Sequence, residues 1–424
     1  MKKFLLPYGK GTVTLQLPDK RIRAVLESHP CAPSSSGSQN DLIEHALQHP
    51  QGSEELSDLA TNKKNIVLIA SDHTRPVPSK LIIPAMLKEI RKTNPTANVT
   101  ILVATGCHRG TTRQELIDKF GEDLVRQERI VIHDCDDTSQ LVSLGTLPSG
   151  GELIINRLAA EADLLCAEGF IEPHFFAGFS GGRKSVLPGI ASRKTVLANH
   201  CSAFINHSNA RTGILEGNPI HRDMLFAPKK AKLAFIVNVI LNQDKKVIYA
   251  TAGDCETAHQ DGVNFLNRSC HAQACPAEIV ISTNGGYPLD QNIYQAVKGM
   301  TAAEATVVPG GIIIMLAKSN DGHGGDVFFK TFRDEPDIDR LMASILSTPA
   351  DQTIPDQWQS QIFARILKKA RVIYVSDASD DIVRSLHMIP AHSLEEALST
   401  ADQLIGHSNA GITIIPDGVS VIVT

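Results

Sequence analysis

Short apolar runs alternate with polar loops and amphipathic helical segments along this chain of 424 residues. The run 65–70 leads through the polar loop 71–78 into a segment in which Ile82, Met86 and Ile90 recur at the period of one helix face. Strands that alternate with helices are typical of a parallel sheet whose faces are covered by helices. The pattern therefore predicts an α/β fold with largely parallel sheets.

The pattern occurs in two series, which predicts two α/β domains. Strands are predicted, in chain order, at 65–70, 99–104, 129–133, 162–167, 278–282, 311–317, 371–376 and 412–415. The helices that follow the most polar loops are predicted at 112–126 and 290–305. A polar, cysteine-bearing stretch separates the two series, so we predict an N-terminal domain of residues 1–270 and a C-terminal domain of residues 271–424. The serine-rich segment 34–38 is predicted to be a flexible loop.

Charge and cysteine content exclude several classes of protein. The chain has 41 Lys and Arg against 46 Asp and Glu, a net charge of −5, and so lacks the basic surface that nucleic-acid binding requires. Its apolar runs fall well short of the ~18 residues that cross a bilayer. The eight cysteines are scattered without a C-x-x-C pair, which is typical of reduced thiols. We expect a cytoplasmic protein with no nucleic-acid or membrane partner.

Polar side chains follow three of the predicted strands, at the edge where open α/β sheets bind ligands. Asp72 and Arg75 follow the first strand, His108 follows the second, and His174 follows the fourth. A single histidine in a loop is most often a surface residue. Three such loops at one edge of a sheet indicate a ligand site.

The segment 168–189 contains five glycines, with His174, Arg183, Lys184 and Ser185 among them. Glycines let backbone N–H groups approach an anion, so a phosphate-binding loop is one interpretation and a tight structural loop is the other. The P-loop motif starting at Gly178 requires glycine at position 183, where arginine stands, and this excludes a nucleotide-hydrolysing site of that kind. The missing G-x-G-x-x-G motif disfavours a conventional dinucleotide site.

In the second series, a predicted helix face is polar. Gln291, Tyr294, Gln295 and Lys298 have the i, i+3, i+4, i+7 spacing of one face, which is either a solvated surface or a site that orients a carboxylate. The single tryptophan, Trp358, follows a turn and either packs in the core or lines a small-ligand pocket.

Two other polar clusters have weaker functional interpretations. The glycine loop 321–326 is a candidate binding loop. The segment 133–137 contains metal-ligand residue types, but we expect its side chains to alternate faces and not to converge.

Four long sequence blocks, together with Pro355, Asp356, Gln357 and Trp358, resemble the nickel-dependent lactate racemase family over nearly the whole chain. The blocks are SDHTRPVPS at 71–79, ATGCHRG at 104–110, EPHFFAGFSGGRKSVLPGI at 172–190 and NGGYPLDQNIYQAVKGM at 284–300. Blocks of this length are far more specific than any short motif.

The resemblance implies a tethered organometallic cofactor, the nickel-pincer nucleotide (pyridinium-3-thioamide-5-thiocarboxylic acid mononucleotide). By resemblance, Lys184 forms the covalent thioamide link and His200 supplies the ligand to nickel. Asp72 is expected to position a neighbour or the cofactor. Ser180, Gly181 and Gly182 are expected to cradle the nucleotide phosphate, an inference of our own from the glycine loop. The cofactor requires separate biosynthetic proteins, which are the expected partners in maturation.

The resemblance also implies a reaction, the racemisation of a small 2-hydroxy acid, with lactate the first choice. His108 and His174 are the paired acid/bases that serve the two enantiomers while hydride leaves and returns to C2. By resemblance, the residues that hold the substrate are Arg75, Tyr294, Gln295, Lys298 and Trp358. These residues fall in both predicted domains, so we expect the active site in a cleft that closes to exclude water.

Other functions remain open from the sequence alone. A member of the same family could act on another 2-hydroxy acid. Direct two-base proton removal from C2 is disfavoured because the chain shows no carboxylate cluster for a hard metal ion. A dehydrogenase is disfavoured by the missing dinucleotide motif. A non-enzymatic protein that binds a 2-hydroxy acid or nickel would leave the histidine pair unexplained.

Overall fold

The structure is a computed structural model that describes residues 1–29, 37–242 and 244–424. Most of the predicted serine-rich loop, 34–38, lies outside the described residues. The strands are β1 Lys2–Tyr8, β2 Gly11–Leu17, β3 Ile22–Val25, β4 Asn65–Ser71, β5 Asn98–Ala104, β6 Arg129–Ile132, β7 Leu141–Thr146, β8 Glu152–Asn156, β9 Leu164–Phe170, β10 Pro173–His174, β11 Gly178–Phe179, β12 Leu233–Leu241, β13 Val247–Gly253, β14 His271–Ala272, β15 Ala277–Thr283, β16 Val307–Leu316, β17 Arg371–Val375, β18 Ile389–Ala391, β19 Ile412–Ile415 and β20 Ile422–Val423.

Helices follow most of the sheet strands. They are α1 Gln39–Gln48, α2 Leu56–Ala60, α3 Ser79–Thr93, α4 Arg113–Phe120, α5 Glu122–Gln127, α6 Arg157–Ala160, α7 Arg193–Asn199, α8 Ser202–Asn206, α9 Pro219–Ala231, α10 Thr257–Asn267, α11 Ile293–Thr306, α12 Asp326–Asp334, α13 Ile338–Ser347, α14 Gln357–Lys369, α15 Asp380–Ser385 and α16 Leu394–Ile405.

The chain divides into two compact units. The larger unit contains residues Pro30–His200 and His207–Ser269, and the smaller unit contains Met1–His29, Cys201–Asn206 and Cys270–Thr424. The chain passes from the larger to the smaller unit at residue 270, and the first 29 residues, predicted in the N-terminal domain, belong to the smaller unit. The reason is that β3 pairs with β19, with Ile22 opposite Ile412, and so completes the sheet of the smaller unit.

The larger unit is built on a six-stranded sheet in the order β13-β12-β9-β4-β5-β6. All neighbouring strands are parallel except the pair β12–β13. Buried residues such as Leu68, Ile101 and Met86 form its core between the sheet and the helices. The parallel α/β prediction is confirmed, and the carboxyl ends of β9, β4 and β5 lie side by side.

The smaller unit contains a fully parallel sheet in the order β18-β17-β16-β15-β19-β3. The hairpin β1–β2 places Leu6, Leu15 and Leu17 against the buried isoleucines of this sheet, including Ile281 and Ile314. Both sheets therefore have the architecture that the alternating pattern predicts.

Two predicted helices differ from the observed ones for local reasons. The helix predicted at 112–126 is divided into α4 and α5, because Gly121 adopts φ 88° between them. The helix predicted from 290 begins at Ile293, where the Asn292 side chain accepts a hydrogen bond from the Gln295 N–H and caps the first turn. Gln291 therefore precedes the helix, and its amide donates to the Pro288 carbonyl instead.

Within the described ranges, no helix is both long and apolar enough to cross a membrane. Seven of the eight cysteines lie in these ranges, and each carries a free thiol.

Candidate active site

The loop between β4 and α3 carries Asp72 and Arg75. Asp72 is buried, and its Oδ1 accepts hydrogen bonds from the N–H and the hydroxyl of Thr74, at 3.1 and 2.6 Å. Arg75 is exposed, with its guanidinium 3.1 Å from the Thr74 hydroxyl. The short loop thus fixes a buried anion beside an exposed cation.

His108, from the loop after β5, pairs with Asp72 across the sheet edge. The His108 Nδ1 and the Asp72 Oδ2 are 2.8 Å apart, and nearly half of the imidazole is exposed. Burial alone would raise the pKa of Asp72, but the hydrogen bond and charge of His108, with the charge of Arg75, lower it to about 2. Because an ionised carboxylate only accepts, Nδ1–H donates to Asp72, and Nε2 of neutral His108 holds a lone pair.

His174 has the opposite arrangement of ring nitrogens. It lies on the short strand β10, which pairs with β11, and its Nδ1 accepts a hydrogen bond from the Ala177 N–H at 3.3 Å. A ring nitrogen that accepts carries no proton, so neutral His174 has its proton on Nε2. His108 therefore presents a lone pair at Nε2, and His174 presents an N–H at Nε2.

His200 is buried at the end of α7, beside Lys184. Its Nδ1 donates to the Val196 carbonyl at 2.9 Å, which fixes the orientation of the ring. Burial, reinforced by the charge of Lys184, lowers the pKa of His200 to about 3. The imidazole is therefore neutral at neutral pH, which is the form that binds metal ions.

Phe176 was not singled out by the sequence interpretation, yet its ring contacts three of the proposed functional side chains. It packs edge-on against His174 and His200, with ring centroids 4.5 and 5.2 Å apart, and the Lys184 Nζ lies 5.9 Å from its centroid. The only sequence signal for Phe176 was its place two residues after His174. Apolar residues in such a block are usually interpreted as part of the hydrophobic core. Phe176 holds the three side chains around one aromatic surface.

The glycine loop before Lys184 is shaped by contacts within the protein. Gly181 and Gly182 have φ values of 81° and 48°, and the Gly182 N–H donates to Asn238 Oδ1 at 2.8 Å. The Ser180 hydroxyl donates to the Phe170 carbonyl at 2.9 Å. The Ser180 hydroxyl and the Gly182 amide thus form hydrogen bonds within the protein, and their phosphate-binding role stays a prediction.

Arg183, expected to help bind an anion, is instead fully buried beneath this loop. Its guanidinium donates to the carbonyls of Ala177, Ser180 and Gly181 and to the Nδ1 of His221. Burial lowers the pKa of Arg183 to about 9, so the side chain remains a cation at neutral pH. Arg183 therefore stabilises the loop through hydrogen bonds to its carbonyl groups and does not face a ligand.

In the smaller unit, Tyr294, Gln295 and Lys298 are half-buried on α11. The Tyr294 hydroxyl donates to Asp356 Oδ1 at 3.0 Å, and Trp358 is half-buried at the start of α14. The spacing prediction therefore holds for three of its four residues, since Gln291 lies outside the helix.

The glycine loop 321–326 supports the start of α11. The carbonyls of Gly322 and His323 accept hydrogen bonds from the N–H groups of Ile293 and Tyr294. These contacts give the loop a structural role at the helix terminus.

The cluster after β6 differs from the expectation. One ligand atom from each of Asp134, Cys135 and Asp136 lies within 4.8 Å of the others, because these residues form a turn rather than an extension of the strand. Asp136 also forms a two-bonded ion pair with Arg193, at 2.8 and 2.7 Å. Because the Asp136 carboxylate is already paired with the Arg193 guanidinium, the cluster is not interpreted as a metal site.

His174, His200 and Lys184 surround Phe176, and His108 pairs with Asp72 at the edge of the parallel sheet. These are side chains with which an α/β enzyme can transfer protons. Family models described as the lactate racemase N-terminal and C-terminal domains match residues 8–213 and 272–423. The chain belongs to the lactate racemase family. Lactate racemases are isomerases, and the protein is an enzyme of that class.

Individual relatives resemble the chain over its full length. It is 54% identical to the lactate racemase of Thermoanaerobacterium thermosaccharolyticum, across 100% of this chain and 99% of the relative. It is 53% identical to that of Lactiplantibacillus plantarum, across 99% of both chains. The solved lactate racemase apoprotein from the former organism superposes with a TM-score of 0.97 over 100% of both chains.

A more distant structure shares the fold alone. A Thermotoga maritima protein superposes with a TM-score of 0.64 at 19% identity, covering 91% of this chain and 98% of that one.

Proposed function

We propose that the protein interconverts the D and L forms of lactate, using a nickel-pincer nucleotide attached to Lys184 with nickel bound by His200. The observation that carries the proposal is a set of four side chains: two histidines of opposite tautomer, a lysine, and a buried neutral imidazole. The names of the relatives support lactate as the substrate.

The residues present fit the cofactor. His200 is a neutral imidazole whose ring is oriented through its Nδ1–H bond to the Val196 carbonyl, and imidazole is a suitable ligand for nickel. Lys184 is near enough for its charge to lower the pKa of His200, so an amine and a metal ligand face one region. When bound, the cofactor would accept a hydride from C2 of the substrate and return it.

The two histidines would move the proton of the substrate hydroxyl. His108 accepts it at Nε2 as C2 becomes planar, and the Asp72 carboxylate stabilises the imidazolium. His174, as its imidazolium, would give a proton to the oxygen when hydride returns to the other face and would be left as the neutral ring. Proton exchange with solvent would reset both rings, and in the reverse direction the two histidines would exchange roles.

Cations and neutral donors would bind the substrate carboxylate. Arg75 is exposed beside the loop of Asp72, and its planar guanidinium matches a carboxylate. We propose the same role for Lys298, assisted by Gln295 and Tyr294, with Trp358 lining the pocket.

The test is to produce the protein with and without the cofactor-making proteins, then measure intact mass, nickel content and conversion of each lactate enantiomer. Lys184→Ala is expected to remove the added mass and all turnover, because the amine is the point of attachment. Lys194→Ala, an exposed lysine on α7, is the matched control and is expected to retain both.

Each outcome of that test decides between functions. Turnover of a different 2-hydroxy acid, with lactate inert, would keep the cofactor and replace the substrate. Nickel binding without conversion of any 2-hydroxy acid would favour a binding protein. No added mass under conditions that load a relative would contradict the cofactor proposal.

Lys298→Ala is expected to raise the lactate KM about 10- to 100-fold with a smaller change in kcat, because one charge-assisted hydrogen bond to the carboxylate is lost. Steady-state kinetics per loaded chain measures the effect. Lys330→Ala, an exposed lysine on α12, serves as the control. An unchanged KM would remove Lys298 from the substrate site.

A further inference from the structure

Glu168 is a buried carboxyl group that the reaction does not use. It lies on β9, next to β4 in the sheet, and is 2% exposed. Its Oε1 accepts hydrogen bonds from the Ser79 hydroxyl at 2.5 Å and from the N–H and hydroxyl of Ser71 at 3.3 and 3.4 Å. Among the described residues, its Oε2 has no hydrogen-bond partner.

These donors lie at the two ends of one functional loop. Ser71 is the last residue of β4 and Ser79 is the first of α3, and Asp72 and Arg75 lie between them. Near the middle of the loop, the Lys119 ammonium donates to the Arg75 carbonyl at 3.2 Å. The loop is thus held at both ends by one carboxyl group and in the middle by one ammonium group.

Burying a carboxyl group with one unsatisfied oxygen costs stability, which a neutral side chain of similar size would avoid. Burial also raises the pKa of Glu168, opposed first by the charge of Lys119. Among the described residues, the hydrogen bonds of this carboxyl group all come from the two ends of the loop. A group that costs stability and is held in this way is better explained by the geometry of the loop than by the core.

We propose that Glu168 is a positioning residue that fixes the 71–79 loop, so that Asp72 meets His108 and Arg75 faces the substrate carboxylate. The consequence for catalysis rests on the proposed function. The consequence for the loop does not, and it can be measured without cofactor or substrate.

The test compares Glu168→Met, which removes the acceptor, with Glu168→Gln, which keeps an acceptor oxygen. Glu89→Met is the matched control, because Glu89 is a buried carboxyl group on α3 that pairs with Lys92 away from the loop. In the apoprotein, Glu168→Met is expected to speed hydrogen exchange at 72–77 about tenfold or more, with the rest of the sheet unchanged. Glu168→Gln and Glu89→Met are expected to leave exchange in this loop at the wild-type rate.

In the loaded enzyme, Glu168→Met is expected to lower kcat/KM for lactate about 100-fold, through both a lower kcat and a higher KM. The reason is that a shift of about 1 Å misplaces catalytic and binding groups. Glu168→Gln should retain most of the wild-type kcat/KM. A lower melting temperature with unchanged loop exchange and unchanged kinetics per loaded chain would assign Glu168 to stability alone. If Glu168→Met does not fold, Ser79→Ala, which removes the 2.5 Å bond, is expected to give the same pattern more weakly.

The two proposals fail in different ways. If the wild type racemises nothing, the exchange data on the apoprotein still decide whether Glu168 fixes the loop. If exchange in the loop increases while lactate kinetics per loaded chain do not change, the positioning role is overturned and the racemase function stands.

Discussion

His108→Ala is expected to reduce racemisation of both lactate enantiomers by about 100- to 10,000-fold while the covalent cofactor remains attached, because a positioned acid/base contributes that much to rate. Each full turnover needs both histidines, so loss of one stops conversion in both directions. The measurement is kcat for each enantiomer, divided by the fraction of chains that carry the added mass.

Asp72→Asn sharpens this test without removing the imidazole. The introduced side-chain amide can donate to Nδ1, which would place the His108 proton on Nε2 and remove the lone pair that the reaction requires. A loss similar to that of His108→Ala is expected, with the tautomer change visible by 15N NMR of the apoprotein. His45→Ala, an exposed histidine on α1, is expected to leave turnover unchanged. Full activity in His108→Ala or Asp72→Asn would contradict the proton-transfer role.

The edge of the sheet that carries these residues could be predicted from sequence, but their pairing could not. Alternating strands and helices indicated that the loops after 65–70 and 99–104 meet at one edge. The contact between Asp72 and His108 depends on strand register, with Ser71 opposite Ala104, and register is a product of tertiary packing. The resemblance suggested that Asp72 positions either a neighbouring residue or the cofactor. The contact with His108 could be seen only in the structure.

Residues with mixed local signals were the ones misread. Arg183 stands beside Lys184 in a glycine loop, so its charge indicated an exposed anion site, whereas it is buried against carbonyl groups. Phe176 carried no polar signal and was not singled out, yet it lies against three polar functional groups. The N-terminal 29 residues showed no sign of joining the sheet of the smaller unit, because a pairing between strands so distant in the chain leaves no local pattern.

Arg183→Met is expected to destabilise the protein by about 3 kcal/mol or more, because several buried acceptors lose their donor at once. Within the described ranges, the contacts of the Arg183 guanidinium are with carbonyls and histidines, so these hydrogen bonds are what the variant loses. Urea unfolding of the apoprotein measures the change. Arg129→Met, an exposed arginine on β6, is the control and is expected to change stability by less than about 0.5 kcal/mol.

The same cation makes the fold sensitive to acid. Burial, with the charge of Arg183 as the second cause, lowers the pKa of His221 to about 3 and that of His259 well below its usual value. The unfolded chain binds protons on these histidines below pH ~6.5 while the folded chain does not, so wild-type stability is expected to fall as the pH drops from ~6.5 toward 3. Arg183→Met removes the charge but not the burial, so its stability should depend less steeply on pH in that window. An equal slope in both proteins would show that burial alone keeps the two histidines neutral.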